Sequence, residues 1–123
     1  MKRITRIRER LQAEGADVFL VSNPVNRRYL TGFTGSAGLV WISNTRQAIL
    51  TDFRYLEQVK AECPGWELIR IESYVESLKT LIEEDKVQTI VFEKDYVTVK
   101  QMEDWQEKLS SQFIGITGWV EEL

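Results

Sequence analysis

Apolar positions along this chain alternate between a period of two and a period of about 3.6, so strands and helices alternate and the fold class is α/β. Ile4, Ile7 and Leu11 recur at i, i+3 and i+7, which predicts an amphipathic helix stopped at Gly15. Residues 18–21 are a continuous apolar run suited to a buried strand. Ser22 or Asn23 then offers an N-cap, with Pro24 at the first helical position and a short helix running to about Leu30. Residues 37–42 and 47–51 read as strands joined by a tight turn around Asn44 and Thr45, too short for a crossover and therefore an antiparallel hairpin. Phe53, Leu56, Val59 and Cys63 predict the apolar face of a helix ended by Pro64 and Gly65.

A strand over 66–71 follows, then a helix carrying Val75, Leu78, Leu81 and Ile82, then a strand over 89–92. Thr98 and Gln101 form a capping box for a further helix with Val99, Met102, Trp105 and Leu109 on its apolar face, and the last strand begins near Phe113. Helices between the later strands imply right-handed crossovers. The expected sheet is therefore mixed and mostly parallel, with an antiparallel hairpin and helices on both faces. Residues 120–123 begin a helical turn without completing it, which reads as the edge of a single domain over 1–123.

Composition narrows the chemistry. There is no histidine, and Cys63 is the sole cysteine, so the commonest general base and metal ligand is missing and no internal disulfide can form. A cytoplasmic setting is expected. No apolar run approaches the ~20 residues of a membrane span. Lys2, Arg3, Arg6, Arg8 and Arg10 give the first helix a basic, solvated face, but the net charge of −3 leaves no field for nucleic acid or anionic membranes. Asp17, Asp52, Glu93 and Asp95 are the carboxylates a metal-dependent nuclease would need to gather; caps and turns account for them better. Cys63 and Trp105 read as core, and Arg27 and Arg28 as solvated charges.

Chemistry concentrates in the loop after the second helix. Gly32, Gly35 and Gly38 permit sharp turns and close backbone approach, Phe33 can either stack on a ring or fill the core, and Thr34 and Ser36 can hydrogen-bond a peptide terminus. Tyr29 is expected to anchor its helix to the sheet. Asp52 can cap the helix that follows it, and Arg54 can pair with Asp52 or with a carboxylate across an interface.

The string from Tyr29 to Gly38, followed after the hairpin by Leu50-Thr51-Asp52-Phe53-Arg54-Tyr55, resembles the N-terminal domain of Xaa-Pro aminopeptidases and Xaa-Pro dipeptidases, the creatinase/prolidase N-terminal domain. The likeness covers essentially the whole chain. It implies ribonuclease-H-like topology and a catalytic pita-bread domain after residue 123. That domain would hold two divalent metals, manganese or cobalt, and attack the bond before proline. On this reading the present chain has no catalytic, metal or cofactor residues. It takes part in homodimers or larger homo-oligomers and gates the active site, and Phe33, Thr34, Gly35 and Ser36 match the segment that approaches the proline-containing peptide. Tyr29, Asp52, Arg54 and Tyr55 are structural or interface residues. Creatinase itself is a more distant relative, because its counterpart of this loop offers a charged residue where Gly35 and Ser36 stand here. The alternative is a stand-alone peptide- or protein-binding module that kept the fold without the peptidase.

Overall fold

The computed structural model describes residues 2–123. The order is α1 (Lys2–Glu14), β1 (Val18–Val21), α2 (Pro24–Thr31), β2 (Leu39–Ser43), β3 (Gln47–Thr51), a 3-10 turn (Phe53–Tyr55), α3 (Leu56–Glu62), β4 (Glu67–Arg70), α4 (Tyr74–Asp85), β5 (Thr89–Glu93), α5 (Val99–Lys108) and β6 (Gln112–Ile116). The strands form one sheet in the order β4-β3-β2-β1-β5-β6. β2 runs antiparallel to both β1 and β3, and the pairs β3–β4, β1–β5 and β5–β6 are parallel. This is the mixed α/β sheet expected. The antiparallel pairing of β1 with β2 adds to the predicted hairpin, because the chain returns beside β1 after only the short helix α2.

Side-chain alternation divides the interior into two layers. Phe19 and Val21 point with Val40, Ile42 and Ile49 toward Ile4, Ile7 and Leu11 of α1 and Val59 of α3. Val18 and Leu20 point the other way, with Trp41, Leu50 and Ile90, toward Leu78 and Ile82 of α4 and Trp105 and Leu109 of α5. Because both faces are covered, the central strands read as unbroken apolar runs. The edge strands β4 and β6 are only partly buried.

The predicted caps at Asn23 and Thr98 are formed, and Ser73 supplies one for α4 that the sequence reading did not name. Asn23 Oδ1 accepts from Val25 N–H at 2.9 Å, Ser73 Oγ accepts from Glu76 N–H at 3.4 Å, and Thr98 Oγ1 accepts from Gln101 N–H at 3.0 Å. Gly15 sits at φ 66° just past α1, where a left-handed turn suits glycine.

Several expectations are corrected. Val99 is 76% exposed and Phe53 69% exposed, since each lies in a first turn that begins beyond the end of the sheet. β2 begins at Leu39 rather than at 37, because the Ala37 carbonyl is taken by the Thr51 hydroxyl at 2.7 Å instead of by a ladder bond. Tyr29 does not anchor α2 to the sheet. It is exposed, its ring lies 3.9 Å from the Arg3 guanidinium, and its carbonyl accepts from Arg3 Nη1 at 2.8 Å. The largest correction is Arg27, read as solvated and found 3% exposed.

Candidate functional site at the carboxyl edge of the sheet

β1, β3, β4, β5 and β6 all point the same way, so the segments leaving their carboxyl ends meet at one edge, together with the loop that enters the reversed strand β2. After β1 the chain passes to α2 on the α1 face, and after the neighbouring β5 it passes to α5 on the opposite face. Open α/β sheets place ligands in the crevice at such a switch point.

Here that crevice is filled from within. Glu93, the last residue of β5, accepts from Ser22 N–H and Asn23 N–H at 3.0 Å each through Oε1, and from the Asn26 amide through Oε2. Burial pushes its carboxyl pKa up, and these three donors only partly offset that. Asn26 also donates to Glu121 at 3.3 Å, tying α2 to the turn after β6.

Beside the crevice, the glycine-rich loop is fastened on both sides. α2 ends at Gly32, whose φ of 82° turns the chain while its N–H donates to the Arg28 carbonyl at 2.7 Å. Thr31 Oγ1 donates to the Arg27 carbonyl at 2.7 Å and accepts from Phe33 N–H at 3.0 Å. Arg27 then reaches under the loop, donating to the Gly35 carbonyl at 2.9 Å, the Gly38 carbonyl at 3.0 Å and, more weakly, the Ser22 carbonyl at 3.4 Å.

From the outer side, Glu62 of α3 accepts from Thr34 N–H at 2.9 Å and from the Thr34 hydroxyl at 2.8 Å, and Gln58 donates to the same hydroxyl at 2.7 Å. The Thr34 bonds hold the Glu62 carboxyl below the usual carboxylate range. The Ser36 and Tyr55 hydroxyls form a short hydrogen bond with each other. That bond uses one of their two protons and leaves the other for an incoming acceptor.

The structure therefore brings Phe33, Thr34, Gly35, Ser36 and Tyr55 together and leaves Tyr29 outside. The Phe33 ring is 1% exposed, 5.9 Å from the Tyr55 ring in an edge-on arrangement. It supports the loop from below, and the exposed loop side chains are Thr34 and Ser36. Asp52 accepts from Arg54 N–H at 3.0 Å and pairs with the Arg54 guanidinium through two bonds of 2.8 Å, which draws its carboxyl down to about 2. The pair closes on itself at the surface.

Gly35 has a specific packing reason: a Cβ there would collide with the Phe33 ring. Gly35→Ala is expected to lose about 1–3 kcal/mol of stability, and Phe33→Leu should recover part of that loss in the double variant, because the ring is the obstacle. Urea unfolding of the two single variants and the double variant measures the coupling; additive losses would put the obstacle elsewhere.

Sequence reading missed Arg27, Glu62, Gln58 and the Glu93–Asn26 contact. Arg27 had a signal, since Arg27 and Thr31 stand at i and i+4 beside Asn26 and Leu30, which is the buried face of α2. The carboxylates considered for a nuclease do not converge. Asp17 caps Gln88 and Thr89 N–H at the opposite edge of the sheet, Asp52 is paired with Arg54, Glu93 is enclosed, and Asp95 is exposed. Among the described residues no group of three or more His, Cys, Asp or Glu side chains is placed to hold a metal ion. Cys63 is buried, and burial pushes its thiol pKa up. No described helix is long and apolar enough to cross a membrane.

Comparison with known proteins places this architecture. The model of the creatinase/prolidase N-terminal domain matches residues 3–123. An uncharacterized peptidase of Bacillus subtilis, YqhT, is 32% identical over 98% of this chain and 35% of its own length. A putative Xaa-Pro aminopeptidase of Mycoplasma genitalium is 26% identical over 91% of this chain and 31% of its own. Among solved structures, the Xaa-Pro dipeptidase from Bacillus anthracis superposes with a TM-score of 0.93 at 33% identity, covering 99% of this chain and 35% of that one. The N-terminal domain of the cytoplasmic peptidase PepQ from Mycobacterium tuberculosis superposes with a TM-score of 0.88 at 27% identity, covering 98% of this chain and 97% of that one. The chain spans about a third of the length of the curated relatives it matches.

Proposed function

The chain belongs to the creatinase/prolidase N-terminal domain family, and from that membership we propose that it serves as the non-catalytic N-terminal domain of a metal-dependent Xaa-Pro peptidase. Its carboxyl edge gates and contacts proline-containing peptides and helps assemble a homodimer or larger homo-oligomer. The hydrolase chemistry and its two divalent metals, manganese or cobalt, belong on this reading to a catalytic domain outside residues 1–123, and the residues described here offer no cradle for them.

The observation that carries the proposal is the preorganised loop. Arg27 holds its carbonyls from below and Glu62, Gln58 and Tyr55 hold its outer side, so Thr34, Gly35 and Ser36 are presented in one geometry rather than as a mobile flap. Around it, Val25, Phe53, Tyr96 and Val99, all exposed, lie on the segments that leave β1, β3 and β5, giving this edge an apolar rim suited to another domain.

The test is kinetic. Full-length protein is expected to cleave an Xaa-Pro peptide with added divalent metal, while residues 1–123 alone do not. In the full-length protein Ser36→Ala should lower kcat/KM about 3–10-fold by removing one hydrogen bond to the peptide. Unchanged kinetics would take Ser36 out of the substrate site. Failure of the full-length protein to cleave proline peptides would overturn the peptidase reading in favour of a binding module, which calorimetry of 1–123 with the same peptide would then detect.

A further inference from the structure

Four buried side-chain polar atoms among the described residues have no hydrogen-bond partner: Ser22 Oγ, Arg27 Nε, Trp41 Nε1 and Tyr74 Oη. Such orphans are costly and uncommon, and each calls for a reason. Two of the four belong to residues that line one cleft of about 400 Å³, between the Ser36–Leu39 stretch, the start of α4 and the first turns of α5.

Arg27 is the more unusual. It carries a formal charge at 3% exposure, and among the described residues no carboxylate pairs with it. Its acceptors are the Ser22, Gly35 and Gly38 carbonyls, which take three of its five N–H groups and leave Nε–H and one Nη2–H. The ionisable groups that act on it are the phenols of Tyr74, Tyr96 and Tyr55, and burial lowers its pKa. A buried cation compensated by carbonyl dipoles and by the face of the Phe33 ring, 6.0 Å away, with no carboxylate beside it, attracts an anion.

Tyr74 supplies a second donor. Its hydroxyl has no hydrogen-bond partner among the described residues, and the Thr51 hydroxyl gives its own proton to the Ala37 carbonyl at 2.7 Å, so it does not donate to the phenol. The rest of the cleft wall is apolar, from Leu39, Val75 and Trp105. The one acid on the rim, Asp104, is paired with Lys108 at 2.8 Å and so does not repel an incoming negative charge.

We propose that this cleft binds a small carboxylate with an apolar tail, the carboxylate taking the free N–H groups of Arg27 and the Tyr74 hydroxyl and the tail lying against Leu39, Val75 and Trp105. Arg27 Nε and Tyr74 Oη are both shielded from solvent, so binding requires a small shift of the side chains that cover them, while the loop backbone stays held at the Gly35, Ala37 and Gly38 carbonyls. The proposal stands on the cleft alone and does not depend on the peptidase reading.

The probe is N-acetyl-leucine, titrated into residues 1–123 by calorimetry and by amide-shift NMR, with N-acetyl-leucinamide and inorganic phosphate as companions. A ligand of this size is expected to bind with a dissociation constant on the order of millimolar. The amide should bind at least tenfold more weakly, and phosphate should compete without matching the affinity of the tailed acid. Tyr74→Phe, which removes a hydroxyl that bonds nothing in the free protein, should fold normally and weaken binding about 3–10-fold. Arg27→Lys, checked for an unchanged circular dichroism spectrum, should weaken it tenfold or more by losing the planar fork. Equal binding of acid and amide, an unaffected Tyr74→Phe variant, or no saturation by 20-fold the expected millimolar constant would overturn the proposal.

Discussion

Phe33→Ala is expected to lose about 3–4 kcal/mol of stability. The ring is almost fully buried, stands edge-on to Tyr55, and lies where any Cβ at Gly35 would fall. Removing it leaves a cavity beneath the loop, at a point where the backbone is held by hydrogen bonds and cannot collapse freely. Denaturant unfolding of residues 1–123 measures this directly. A loss below about 1 kcal/mol would show that the ring is not a core element in solution and would return it to the exposed, ring-stacking role that the sequence also allowed.

Glu93→Ala should cost nearly as much, about 2–3 kcal/mol, because two backbone N–H groups and the Asn26 amide lose their acceptor inside the switch-point crevice. The accompanying pH dependence has a distinctive sign. Burial raises the folded-state pKa of Glu93 above its ordinary value of 4.5, so the folded state binds this proton more tightly than the unfolded chain does. Its favourable contribution is complete below the unfolded pKa and is lost as pH rises through the raised folded value.

The surface carboxylates act in the opposite sense. Asp52, held at about 2 by Arg54, and Glu62 and Glu67, lowered by Thr34 and by Arg46, lend stability above their unfolded values that is lost as pH falls through the folded ones. Stability of the wild-type chain should therefore rise as pH drops through the raised folded pKa of Glu93 and turn down within the ordinary carboxylate range. Glu93→Gln should abolish the rise while keeping an acceptor for Ser22 and Asn23, and so cost less than the alanine. Melting temperatures across pH 7 to 4 test this. A rise that persists in Glu93→Gln would assign the titration to another group.

Glu93 and Phe33 also mark where sequence reasoning stops. A glutamate at the end of an apolar strand and a phenylalanine between two glycines are each compatible with exposure or burial. Glu93 is enclosed by groups about 70 residues earlier in the chain, and Phe33 is fixed by Tyr55 and by the absence of a side chain at Gly35. Arg27 makes the same point in reverse. Neighbouring arginines look alike along the chain, yet helical phase puts one under the loop and leaves the other exposed.

The sequence by itself determined the succession of elements, several of their caps and the α/β class with helices on both faces of a mixed sheet, because period, capping residues and glycine positions act over a few residues and carry their physics locally. Its loop and hairpin strings also sufficed to identify the family that comparison later showed. Only the tertiary structure decided that β2 pairs with β1 as well as β3, that the switch-point crevice is closed by Glu93, and that Arg27 is a buried clamp rather than a solvated charge. Each of these depends on which groups meet across the fold. For a polar side chain, burial is tolerated or forbidden according to the partners found there, and those partners are set by packing rather than by neighbours in the chain.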